Sequence, residues 1–174
     1  MIYLARHGQT DWNLFMRFNG RTDTFLNQTG INQAKSQAEI LRNINFEACY
    51  CSSQTRARQY CEIIYNGLIM FDDRLNEIDC GEFEGMEETA EAMKLFWQAI
   101  QKGDKGTESF NTFIKRNCDL CDLIMDKWKE RNVLVVTHAA NTRIINYYFT
   151  GKPFDYDFNK VVVEKGEFII LENS

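Results

Sequence analysis

Apolar residues recur along the chain in two alternating patterns. Short continuous apolar runs predict buried strands at Ile2 to Ala5, Phe46 to Cys51, Leu68 to Phe71 and Val133 to Thr137. The last of these, Val133-Leu134-Val135-Val136-Thr137, is rich in branched residues and reads as a central parallel strand. Between the runs the spacing lengthens to that of amphipathic helices. Asn27 is placed to cap a helix from about Gln28 to Arg42, with Ile31, Ala34, Ala38 and Leu41 near one face. Ser52 and Ser53 offer a cap to a helix from about Gln54 to Asn66, closed by Gly67. Ala90, Met93, Phe96, Trp97 and Ile100 predict a helix from Glu87 to Gln101, broken by Gly103 to Gly106. Thr107 or Ser109 then caps a long helix to about Arg131, and a further helix runs from Asn141 to Phe149. Val161 to Val163 and Phe168 to Leu171, joined through Lys165-Gly166, predict a C-terminal hairpin.

Strands alternating with helices predict a three-layer α/β/α sandwich around a mostly parallel sheet. At 174 residues the whole chain, 1–174, is expected to form one domain. Ligands of such sheets sit outside the carboxyl ends of the strands. His7, Ser52 and His138 all fall there. The chain has only two histidines, and each directly follows a strand-like run. Either one alone reads as readily as structural; their matched placement points to a shared site. The loop from Thr10 to Phe25 carries Asn13, Arg17, Asn19, Gly20 and Arg21, and loops of this length in compact domains are usually functional. Arg56 falls in the first turn of its predicted helix, where positive charge opposes the macrodipole. It is either a solvated surface residue or a partner to an anion bound at the helix start.

Charge and composition narrow the ligand. The net charge of −5 argues against nonspecific nucleic-acid binding, which needs a basic surface. It leaves room for a small anion, because clustered arginines dominate at contact distance. No run approaches membrane-spanning length, and the first residues are too short for a signal-peptide core. The six cysteines are therefore expected to be free thiols in the cytoplasm, and Cys118 and Cys121 to be packing residues without a zinc partner pair.

A phosphate between Arg6, His7 and Arg56 would meet two guanidinium forks that neutralise charge on its oxygens. A neutral imidazole is a competent nucleophile near neutral pH, provided its second nitrogen is held, commonly by a backbone carbonyl. Gly8 would allow the tight turn this needs. His138 could donate to the same phosphate. A carboxylic acid must protonate the leaving oxygen, and the acidic loop from Arg74 to Gly85 offers several. No Walker loop, dinucleotide fingerprint, H-E-x-x-H or G-x-S-x-G motif competes. The arginines beside the histidines would repel a metal cation.

These segments together resemble the histidine phosphatase superfamily, also called phosphoglycerate mutase-like. Arg6-His7-Gly8-Gln9-Thr10-Asp11-Trp12-Asn13 is similar to its R-H-G-(E/Q)-(T/S)-x-x-N signature. Ser52-Ser53-Gln54-Thr55-Arg56-Ala57-Arg58-Gln59 resembles the S-S-x-x-x-R-A-x-Q segment, and Leu75-Asn76-Glu77 with Gly81 to Gly85 resembles L-x-E…G-x-(W/F)-E-G. Thr107-Glu108-Ser109 with Arg116 resembles G-E-S…R. His138-Ala139-Ala140 stands where H-G-G is usual, and Phe25 where proline is usual.

The resemblance implies a phosphoglycerate mutase-like fold and a small phosphorylated substrate, with neither metal nor organic cofactor. It implies His7 as nucleophile through a phosphohistidine, with Arg6, Arg56 and His138 as the rest of the phosphate pocket. Asn13, Asn19, Gly20, Arg21 and Ala139 would contact substrate. Glu77 would be the proton donor, with Glu82 its rival. The mutase branch is longer and carries a lysine near the position of Glu87-Glu88, so the resemblance favours a phosphomonoester hydrolase acting on a sugar phosphate or alpha-ribazole phosphate. A cofactor-dependent phosphoglycerate mutase and a non-catalytic phospho-ligand or protein-binding module are the alternatives. The oligomeric state is not implied.

Overall fold

The structure is a computed structural model that describes residues 1–151 and 161–172. Among the described residues, five strands form one sheet: β1 (Ile2–Arg6), β2 (Ala48–Cys51), β3 (Met70–Phe71), β4 (Val133–Thr137) and β5 (Phe168–Leu171). Their order is β3-β2-β4-β1-β5. All neighbours run parallel except β5, which lies antiparallel on β1 at one edge. β4 sits between β1 and β2, with Val133 opposite both Ile2 and Ala48. Every residue of β4 is buried, which is why it reads as an unbroken apolar run.

The helices are α1 (Asp11–Leu14), α2 (Gln28–Leu41), α3 (Thr55–Ile64), α4 (Ala90–Lys102), α5 (Phe110–Trp128) and α6 (Ala139–Thr150). Strand side chains alternate between two faces. Leu4, Tyr50, Val133 and Val135 pack against Leu120 and Ile124 of α5 and Ile145 of α6. Ala5, Cys49, Leu134 and Val136 pack against Ala34 and Leu41 of α2 and Ala57, Tyr60 and Ile64 of α3. Helices thus cover both faces, giving the expected three layers. A third cluster joins Phe96 and Ile100 of α4 and Phe113 of α5 to Phe18, Ile78 and Phe83, and it anchors the loops above the strand ends.

Several elements differ from the sequence expectation. Val161 to Val163 form no strand and no hairpin; Val163 is buried in the first core cluster without pairing, and β5 pairs with β1 instead. Neither Ser52 nor Ser53 caps α3: the N-cap is Gln54, without a side-chain cap bond, because the serine hydroxyls are engaged elsewhere. α4 begins at Ala90 behind Thr89, and α6 begins at Ala139, directly after His138. The loop from Thr10 contains the single turn α1, and a ribbon pairs Arg17 with Glu87. Asn27 and Ser109 cap α2 and α5 as read from the sequence. The six thiols are free, and five of them are buried.

Candidate active site

The carboxyl ends of β1, β2 and β4 deliver the site. The His7 N–H donates to the Thr137 carbonyl at 3.0 Å, extending the β1–β4 ladder by one residue. That step sets His7 beside His138, with ring centroids 4.9 Å apart and planes at 63°. His7 Nδ1 lies 2.7 Å from the Gly8 carbonyl oxygen. A carbonyl only accepts, so Nδ1 carries the proton and Nε2 keeps its lone pair. Burial, then the charges of Arg56 and Arg6, hold His7 well below the ordinary imidazole range. The ring is therefore neutral at neutral pH.

Gly8 has a different reason from the one expected. Its φ is not positive; a Cβ there would stand 2.6 Å from the Gly30 carbonyl oxygen. A Cβ on Gly30 would in turn meet the Gln9 oxygen at 2.3 Å. The start of α2 thus docks backbone to backbone on the turn that carries His7.

Arg56 is fully buried, which removes the solvated alternative. Its guanidinium donates to the carbonyls of Asn19, Gly20 and Thr22 at 3.1, 2.8 and 3.1 Å. Burial lowers it to about 10, against the pull of Glu77 and Glu84. The Glu84 carboxylate accepts the N–H groups of Gly20 and Arg21 at 3.2 and 2.6 Å, holding the loop that receives Arg56. Arg6 donates to the Val163 carbonyl at 3.3 Å and is lowered by burial, opposed first by Glu77. The Nε atoms of Arg6 and Arg56 and Nδ1 of His138 are buried without a hydrogen-bond partner among the described residues. The two buried arginine donors mark a site built for an anion.

Glu77 is 8% exposed. Its carboxylate accepts the Ile78 N–H at 2.9 Å and the Ala140 N–H, in the first turn of α6, at 3.3 Å. Glu77 lines a cleft of about 400 Å³ together with Arg6, Asn19 and Ala139. Met16, Phe18, Met93 and Phe96 form an apolar wall of this cleft, and Glu88, Arg143 and Lys165 add charge. Glu82 is exposed on a separate 3₁₀ turn, its N–H bonded to the Lys105 carbonyl.

The remaining expected contacts divide. Asn13 forms a capping box with Thr10 that closes α1, its Oδ1 accepting the Thr10 N–H. The Asn19 side chain ties Thr10 to Thr24. Gly20 and Arg21 belong to the loop around Arg56, and the Arg21 guanidinium stands 3.7 Å from Glu108. Sequence reading missed the polar web beneath these groups. Gln54 donates to the Gly20 carbonyl and accepts the Glu77 N–H, both at 2.7 Å. Arg116 binds Glu108 through two nitrogens and the Glu77 carbonyl at 3.1 Å. Asn141 donates to the Asn76 carbonyl and to Asn117. The available signal was polar residues at inward helical positions: Asn117 and Asn141 are fully buried.

An α/β sandwich that gathers a neutral histidine, two buried arginines and a carboxylate at the ends of parallel strands is built for phosphoryl chemistry. The chain belongs to the histidine phosphatase superfamily, whose branch 1 pattern matches residues 2–172. It is 30% identical to a metal-independent phosphoserine phosphatase of Arabidopsis thaliana, over 97% of this chain and 79% of that protein. It is 34% identical to a 2,3-bisphosphoglycerate-dependent phosphoglycerate mutase of Methylobacterium, over 87% of this chain and 81% of that one. The alpha-ribazole phosphatase of Shigella flexneri shares the fold, with a TM-score of 0.82 at 22% identity, covering 99% of this chain and 96% of that structure.

Proposed function

We propose that residues 1–174 form one cytoplasmic histidine phosphatase domain that hydrolyses phosphomonoesters of small metabolites without a metal. The observation that carries this reading is the His7 imidazole, neutral and pinned through Nδ1 to the Gly8 carbonyl, between two buried arginines. In this mechanism Nε2 of His7 attacks phosphorus, and the bond to the ester oxygen breaks. Arg6 and Arg56 stabilise the charge on the transferring group. Glu77 acts as the general acid and gives a proton to the departing oxygen. A water then attacks the phosphohistidine and loses its proton to Glu77, which frees phosphate and restores His7.

The exposure of Glu82, and the place of Glu77 rather than Glu82 in the cleft lining, support Glu77 as the donor. Sugar phosphates and alpha-ribazole phosphate are the substrate types that fit this reading. Glu88, in the cleft wall, would oppose the carboxylate of a phosphoglycerate, which favours hydrolysis of other esters over the mutase reaction. The test is turnover of nitrophenyl phosphate in excess chelator by wild type and His7→Ala. Activity is expected in the first and absent in the second; wild-type turnover by His7→Ala would overturn the mechanism.

A further inference from the structure

His138 meets the site through a hydrogen-bond chain whose proton positions can be counted. Its Nε2 lies 2.8 Å from Ser52 Oγ. Ser52 Oγ lies 2.7 Å from Asn76 Oδ1 and accepts the Gln54 N–H at 3.3 Å. The Asn76 amide is oriented by its other contacts: Oδ1 accepts the Ser53 N–H at 3.1 Å, and Nδ2 donates to Asp73 at 3.1 Å. Asn76 Oδ1 is thus an acceptor. An acceptor and a hydroxyl oxygen at 2.7 Å need a proton between them, and Ser52 has only one to give. The Ser52 proton goes to Asn76, so the bond from His138 must carry its own proton on Nε2.

We propose that the two histidines hold opposite tautomers, His7 protonated at Nδ1 and His138 at Nε2, and that Ser52 is the positioning residue that fixes the second. The consequence lies at His138 Nδ1, which is buried with no partner among the described residues. In the neutral Nε2–H form that atom is an acceptor and repels a phosphate oxygen. It serves a phosphate only with a proton between them, so phosphate binding brings one proton to this nitrogen, from bulk water or from a P–OH group. The second half of the inference rests on the phosphatase reading; the tautomer of the free protein does not.

The surroundings make the free ring neutral. His138 is held well below the ordinary imidazole range by burial first, then by Arg56, His7, Arg116 and Arg6, on α3, α5 and the end of β1. The Glu77 carboxyl group accepts the Ala140 N–H in the α6 turn that follows His138. A bound phosphate dianion outweighs these cations at contact distance and favours the imidazolium.

With only two histidines in the chain, long-range ¹H–¹⁵N spectra of the imidazoles read both rings directly. At neutral pH the free protein is expected to show one ring protonated at Nδ1 and one at Nε2, assigned by His7→Gln. Saturating inorganic phosphate is expected to turn His138 Nδ1 from an unprotonated to a protonated nitrogen. Ser52→Ala is expected to shift His138 toward the Nδ1–H form without phosphate, and Ser52→Thr, which keeps the hydroxyl, to restore Nε2–H. The same tautomer in both free rings overturns the proposal. So does an unprotonated His138 Nδ1 in a demonstrably phosphate-bound protein. Failure of phosphate to perturb either ring or Arg56 contradicts the phosphatase reading instead, while the free spectrum still decides the tautomers.

Discussion

Gln54 Oε1 accepts the backbone N–H of Glu77 at 2.7 Å, while Gln54 Nε2 donates to the Gly20 carbonyl at the same distance. One buried amide therefore ties the carboxylate segment to the loop that receives Arg56. Gln54→Ala would leave the Glu77 N–H and the Gly20 carbonyl without this partner, at a cost of about 1–3 kcal/mol for the buried groups. The expected result is a lower urea midpoint and a fall in kcat of roughly 10-fold or more, as for groups that orient catalytic residues. A variant with wild-type kcat would show that the tie does not position Glu77.

Arg56 carries both structure and charge. Arg56→Lys keeps the charge but loses the fork that reaches the Asn19, Gly20 and Thr22 carbonyls. Removal of such a preorganised donor typically costs roughly 10²–10³ in kcat. Kinetics on nitrophenyl phosphate, set beside thermal unfolding, check whether rate and stability fall together.

The proton donor is tested by leaving group. Glu77→Gln is expected to lose more rate on alkyl phosphates, whose alkoxides leave poorly, than on nitrophenyl phosphate. Glu82→Gln, altering an exposed side chain, is expected to match wild type on both. A larger loss for Glu82→Gln would reverse the assignment.

Both histidines titrate below the ordinary value of 6.5 in the folded protein, mainly through burial. Between the folded values and 6.5 the unfolded chain binds more protons, so stability rises with pH through that window. The stabilisation is present above 6.5 and is lost as pH falls toward the folded values. Urea midpoints are expected to drop on acidification below 6.5, less steeply in His138→Gln. The acid limb of kcat/KM should also lie below 6.5, because His7 stays unprotonated there.

Much of this was legible in the sequence, for physical reasons. Strands buried on both faces must be apolar throughout, so β1, β2 and β4 announced themselves. Asn27 and Ser109 stood where a helix needs an oxygen. Val161 to Val163 misled because a buried loop and a short strand share one local pattern; only the pairing of β5 with β1 separates them. Ser52 misled because its hydroxyl is spent on Asn76 and His138 rather than on α3. The choice of Glu77 over Glu82 came from the resemblance alone, since an acidic loop has no period to show which carboxylate is buried. The web of Gln54, Asn117 and Asn141 was equally hidden, because its partners are distant in sequence.

The close approach of Gly8 and Gly30 gives a structural test. Gly30→Ala would place a methyl 2.3 Å from the Gln9 backbone oxygen, which cannot swing aside. Overpacking of this kind costs about 1–3 kcal/mol or more. A lower unfolding midpoint with a disproportionate loss of kcat is expected, because the shift falls on the turn that carries His7.

The phosphohistidine is open to capture. Wild type mixed rapidly with a phosphomonoester, quenched in denaturant at alkaline pH and mapped by mass spectrometry should carry an acid-labile phosphate on His7. His7→Ala should carry none and turn over no substrate. Phosphate on another residue, or steady turnover by His7→Ala, would contradict nucleophilic catalysis by His7.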